Sequence, residues 1–151
     1  MKTVILIHSP FKARHCVPLA FASCSARPTP AMAQDIAVMA RVRGILSSRG
    51  SSHATGIRRA TWASLAGLKI VESFVPNTTV RWDEIPGGRY TGWQRRRIIG
   101  RPTLAAFIQA HPTGRWVVMT RGHAQAVVDG VLVQAGTARS RVIQAWRLEE
   151  A

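Results

Sequence analysis

Two side chains in this 151-residue sequence carry chemistry that a pair can perform together: the thiol of Cys16 and the imidazole of His123. A thiolate attacks a carbonyl carbon while an imidazole moves the proton, so the two residue types point to nucleophilic acyl chemistry if the fold joins them. The second thiol, Cys24, falls eight residues beyond Cys16. In a helix that spacing is about 12 Å along the axis, which excludes a disulfide between the two. Cys24 then reads as a small buried hydrophobe.

The element that must position His123 is legible from its neighbours. Asp129-Gly130 separates His123-Ala124-Gln125-Ala126-Val127-Val128 from Val131-Leu132-Val133-Gln134. Asp-Gly between runs rich in β-branched residues predicts a hairpin, because both central residues of a type I′ turn need positive φ. Counting outward pairs Val128 with Val131, Val127 with Leu132, Ala126 with Val133 and Gln125 with Gln134. Alternation then puts His123, Gln125 and Val127 on one face with Leu132 and Gln134. Gln134 is the diagonal neighbour of His123, roughly 7 Å away between backbones, where an amide can orient the ring.

Cys16 precedes Val17-Pro18-Leu19-Ala20-Phe21-Ala22-Ser23. This run reads as a helix, and Pro18 is tolerated only in its first turn, so Cys16 falls at the helix N-terminus. The positive end of the helix dipole favours the thiolate there, as do Lys12, Arg14 and His15 in the preceding loop.

The remaining pattern predicts α+β organisation, with helices early and an antiparallel sheet late. Lys2 to Ile7 reads as a short strand. Residues 32–46 have helical spacing, and Gly56 to Ala66 reads as a helix with Ile57, Ala60, Ser64 and Leu68 on one stripe. Lys69–Val75 and Thr78–Trp82 read as strands around a Pro76-Asn77 turn. After an arginine-rich loop, Thr103 caps a helix through Gln109. Arg115–Thr120, the hairpin and Arg141–Leu148 complete the sheet.

The Cys opening an alanine-rich helix, the Gly-Ile-Arg-Arg-Ala-Thr-Trp segment from Gly56, and Thr-Leu-Ala-Ala-Phe-Ile leading through His-Pro-Thr-Gly-Arg-Trp to Gly-His-Ala-Gln-Ala-Val-Val-Asp-Gly-Val resemble a known group. They are similar to small papain-like cysteine peptidase-fold proteins, many of them phage-encoded. The resemblance covers most of the chain and is most specific in its C-terminal third. It implies a single papain-like domain over 1–151, N-terminal helices packed on a C-terminal antiparallel β-sheet, and a peptide or amide substrate. It further implies Cys16 as nucleophile, His123 as general base and Gln134 as the residue that orients the imidazole. Two departures stand out: the family usually has Asp or Asn where this chain has Gln134, and no Gln precedes Cys16 as an oxyanion donor. The backbone N–H of Cys16 supplies one donor, with His8, Ser9 and His15 as candidates for a second.

Length and 46% hydrophobic content suit one core. No apolar run is long enough for a membrane span. Ala31-Met32-Ala33 has the form of a signal cleavage site, but Pro18 and the Arg27-Pro28-Thr29-Pro30 break speak against a secretion signal. Two cysteines without framework spacing fit a reducing compartment, so a cytoplasmic location is expected, in a host cell or a virion if the chain is phage-encoded. No zinc-knuckle spacing or phosphate-binding glycine loop occurs, so neither a metal nor a cofactor is expected. The 21 Lys and Arg against 7 Asp and Glu give a net charge of +14. That excess favours nucleic acid or an acidic protein as partner. The densest cluster, Arg95-Arg96-Arg97, follows Tyr90 and Trp93, an interleaving suited to stacking and phosphate contact. The alternative function is therefore a non-catalytic basic binding or structural phage protein with a degenerate site.

Overall fold

Apolar side chains that alternate along the late strands give the sheet two apolar faces, and helices cover both. The computed structural model describes residues 2–3, 16–25, 59–85, 94–133 and 137–151. In chain order the elements are β1 (Lys2–Thr3), α1 (Cys16–Ser23), α2 (Arg59–Leu65), β2 (Leu68–Phe74), β3 (Thr79–Glu84), β4 (Gln94–Ile99), α3 (Leu104–Ala110), β5 (Arg115–Thr120), β6 (His123–Val128), β7 (Val131–Leu132) and β8 (Gln144–Glu150). A six-stranded sheet has the order β1-β7-β6-β5-β8-β2, and β3 pairs with β4 in a separate ribbon. The architecture is α+β. The sheet is antiparallel except where β1 runs parallel to β7, which departs from the wholly antiparallel expectation.

The pleat sorts side chains between two clusters. Val117, Ala124, Ala126, Trp146 and Leu148 face α1 and α2, together with Cys16, Val17, Ala20, Phe21 and Trp62. Trp116, Val118, Val127, Leu132 and Ala145 face α3, with Leu104, Phe107 and Ile108. Large apolar side chains such as Phe21 and Trp116 each contribute about 1.5–3 kcal/mol by leaving water.

The Asp129-Gly130 hairpin has the expected register, with Val128 opposite Val131 and Val127 opposite Leu132. Both turn residues have positive φ, 48° and 76°. Thr103 caps α3 by accepting a hydrogen bond from the Ala106 N–H at 3.1 Å.

Other expectations need correction. Residues 94–99 form β4 rather than part of a loop, because the cluster Arg95-Arg96-Arg97 pairs with Asp83, Trp82 and Arg81 across a ribbon. The strands expected on either side of Pro76-Asn77 form as β2 and β3, and they pair with β8 and β4 rather than with each other. The expected stripe on α2 is also displaced: Trp62 and Ala63 are buried while Ala60 and Ser64 are exposed, since burying the indole outweighs burying small residues. β8 starts at Gln144, and Arg141 makes only an isolated bridge to Thr103. The expected helix over 32–46 and the strand beyond Thr3 lie outside the described residues. No helix among the described residues is long and apolar enough to cross a membrane.

Gly100 joins the ribbon to α3 with φ of +109°, and a Cβ there would collide with the Asn77 carbonyl oxygen. Gly100→Ala is expected to lower stability by about 2 kcal/mol or more, through strain and collision together. Thr103→Ala is expected to cost about 1 kcal/mol through the lost cap. Urea unfolding of the two variants checks both values; equal stability of Gly100→Ala and the parent would contradict the close approach at Asn77.

Candidate active site

Every residue of α1 from Cys16 to Ser23 is buried, and the helix lies on β6. Ala20 and Ala22 belong to the same cluster as Ala124 and Ala126, small residues that let helix and strand approach closely. A helix apolar on all sides is a central one, covered on more than one face.

The direction of α1 follows from how its C-terminal end is fastened. The Cys24 thiol donates to the Trp116 carbonyl oxygen at 3.5 Å, and the Arg115 guanidinium donates to the Cys24 carbonyl oxygen at 3.3 Å. Arg115 and Trp116 are paired with Val128 and Val127, at the far end of β6. Cys24 is therefore held beside the end of β6. From Cys24 back to Cys16 the helix rises about 12 Å. From Val127 back to His123 the strand covers about 13 Å. α1 thus runs parallel to β6, and Cys16 and His123 come to the same end of the pair.

Cys16 is the first residue of α1 and only 3% exposed. Its electrostatic neighbour is Arg59, which opens α2. Burial pushes the Arg59 pKa below its ordinary value, and the interaction with Cys16 pulls it back up. Arg59 is thus a positive charge that acts on the Cys16 sulfur. The Arg59 guanidinium also lies 5.3 Å from the ring centroid of Trp146, which fixes where this charge sits. In the sequence Arg59 is one of 21 basic residues, and its place in the Gly-Ile-Arg-Arg-Ala-Thr-Trp segment, in the first part of an expected helix, is the local signal for it.

His123 opens β6 opposite Thr120 and is half-buried. Register sends His123, Gln125 and Val127 to one face of the sheet and Ala124 and Ala126 to the other, toward α1. Gln125 is fully buried, with its side-chain amide 3.5 Å from the Thr120 hydroxyl, so its polar contact lies beside His123 across the ladder. Gln134 lies outside the described residues, as do His8, Ser9, Lys12, Arg14 and His15. The other described histidine, His111, serves packing: its Nδ1 is 3.0 Å from the Phe107 carbonyl oxygen and its ring stacks on Phe107 at 4.4 Å.

No group of three or more side chains suited to hold a metal ion occurs among the described residues. No family model, curated protein or solved structure matches this chain.

The two thiols differ in environment. Burial pushes the Cys24 thiol up to about 12, against 9.0 for a free group, with the Arg115 charge opposing the rise. A thiol whose pKa is raised on folding contributes stability that is complete below pH 9.0 and lost as pH climbs toward about 12. Within that window the parent is expected to lose up to about 1.4 kcal/mol more per pH unit than Cys24→Ala. Denaturant unfolding of both between pH 8.5 and 11 measures this. Parallel declines would mean that Cys24 is not held as a buried thiol.

Proposed function

We propose that this chain is a thiol hydrolase of papain-like fold that cleaves a peptide or related amide. The observation that carries this reading is the parallel course of α1 and β6, which brings the opening residues of both, Cys16 and His123, to one end of the pair. In the proposed reaction the Cys16 thiolate adds to the amide carbonyl carbon and forms a C–S bond. The C–N bond then breaks, and His123, carrying the thiol proton, delivers it to the leaving amine. Water next attacks the thioester, gives its proton to His123, and releases a carboxylic acid and the free thiol. The backbone N–H of Cys16 is the donor available to the developing oxyanion. Gln134 is assigned the role of holding the imidazole tautomer, which an amide does without supplying charge.

The pleat requires the His123 ring to meet Cys16 around the mouth of the strand rather than through the sheet. Its sequence neighbours leave that route open: Gly122 has φ of +69° with no atom near the place of a Cβ, and Ala124 is small. Arg59 adds a fixed positive charge beside the sulfur, so the pair needs less assistance from a carboxylate at position 134.

A second reading, a basic protein without catalysis that contacts nucleic acid or an acidic assembly partner, is favoured by the exposed arginines of β3 and β4. Alkylation of Cys16 in a Cys24→Ala background discriminates the two. The thiol-hydrolase site is expected to give a rate–pH profile with its inflection below the free-thiol value of 9.0. His123→Ala is expected to move that inflection upward, and Arg59→Gln to move it upward by a smaller step. An inflection at the free-thiol value that neither substitution moves would remove the hydrolase reading.

A further inference from the structure

The β3–β4 ribbon stands apart from the six-stranded sheet, and its outward chemistry is not that of an ordinary solvated hairpin. All six residues of β4 are exposed, among them Arg95, Arg96, Arg97, Ile98 and Ile99. On β3 the Trp82 ring is 58% exposed, and Val80 is exposed beside it. A two-stranded ribbon that presents arginine, tryptophan and isoleucine to water on both faces needs a partner to explain its composition.

Register shows where the positive charge concentrates. Arg81 lies directly opposite Arg97, a like-charge pair that is unfavourable by itself. Asp83 stands between them, accepting a hydrogen bond from Arg81 Nε at 2.8 Å and pairing as an ion with Arg97 Nε at 2.6 Å. Both contacts engage Nε, so neither of them uses the terminal N–H groups of the two guanidinium groups. On the neighbouring edge, Arg141 donates through Nη1 to the Arg101 carbonyl oxygen at 3.1 Å, which ties the two segments together. Arg81, Arg97, Arg101 and Arg141, with Ile98 and Ile99, line one cleft of about 400 Å³. Four arginines against one aspartate leave three positive charges in excess around it.

We propose that this cleft binds the phosphodiester backbone of a nucleic acid. Guanidinium forks match phosphate oxygens in pairs, and an entering anion offsets the charge that Asp83 leaves uncompensated among the four arginines lining the cleft. Trp82 and Val80 share the other face of the ribbon with Arg96 and with Ile98, which also borders the cleft, and supply an apolar surface on which a base stacks. An acidic peptide would use the charge but not this surface. The cleft lies near the start of β8, away from Lys69 and Arg115, which belong to the opposite end of the sheet.

Fluorescence anisotropy of the full chain with a labelled 20-nucleotide single strand and a labelled 20-base-pair duplex, over a salt series, tests the proposal. Arg101→Gln/Arg141→Gln is expected to weaken binding of at least one probe tenfold or more at moderate salt. It should also reduce the slope of log K against log salt by about 1.4–1.8, as two lost phosphate contacts require. Lys69→Glu removes the same net charge elsewhere and is expected to change the slope little. Arg101→Lys/Arg141→Lys keeps the charge and should retain most of the slope, which separates lost contact from lost fold. Equal slopes for the cleft and remote variants would overturn the proposal. So would absence of binding to both probes, or poly-glutamate competing as well as the oligonucleotides.

Discussion

The fastening of α1 at its C-terminal end is the constraint from which the candidate site follows. Cys24 is held at both its thiol and its carbonyl by the first two residues of β5, and β5 pairs along its whole length with β6. A fully buried helix fixed at one end and laid along one strand has no freedom in where its other end falls. The chain therefore specifies the position of Cys16 through residues about 12 Å away from it. Small residues on both partners, Ala20 and Ala22 in the helix and Ala124 and Ala126 in the strand, belong to the cluster between them.

The same constraint gives the two cysteines different chemistry. At the fastened end the thiol is enclosed and donates a hydrogen bond, and burial pushes its pKa up to about 12. At the free end the sulfur has the helix N-terminus behind it and Arg59 nearby, both of which stabilise negative charge. Arg59 is in turn held over Trp146, whose strand is paired to β5. Helix, sheet and cation thus converge on one sulfur, and the proposed Cys16–His123 chemistry uses that convergence. The second cluster, around α3, backs the other side of the same strands, so the register that positions His123 is held from both faces.

Much of this was legible in the sequence where local chemistry decides the backbone. Asp129-Gly130 announces its turn because few residue pairs tolerate positive φ twice. Pro18 limits where α1 begins, and Thr103 before an apolar run announces a cap. What was hidden depended on distant partners. Nothing local in Gln94 to Ile99 indicates a strand, because three arginines hide the β-branched signal of Ile98 and Ile99 until Asp83 and Trp82 are opposite them. The buried face of α2 was misjudged because a helix this short has too few positions for periodicity to outweigh one tryptophan. The role of Arg59 was hidden because charge alone does not reveal which of 21 basic residues comes to rest beside a thiol.

Coupling between the two ends of the proposed dyad is most directly read from the ring of His123 itself. An NMR titration of the His123 ring protons in the parent and in Cys16→Ser measures it, because two groups that share a proton equilibrium shift each other. If sulfur and imidazole meet, loss of the thiolate is expected to lower the His123 midpoint by about one pH unit or more. Superimposable titration curves in the two proteins would contradict the account.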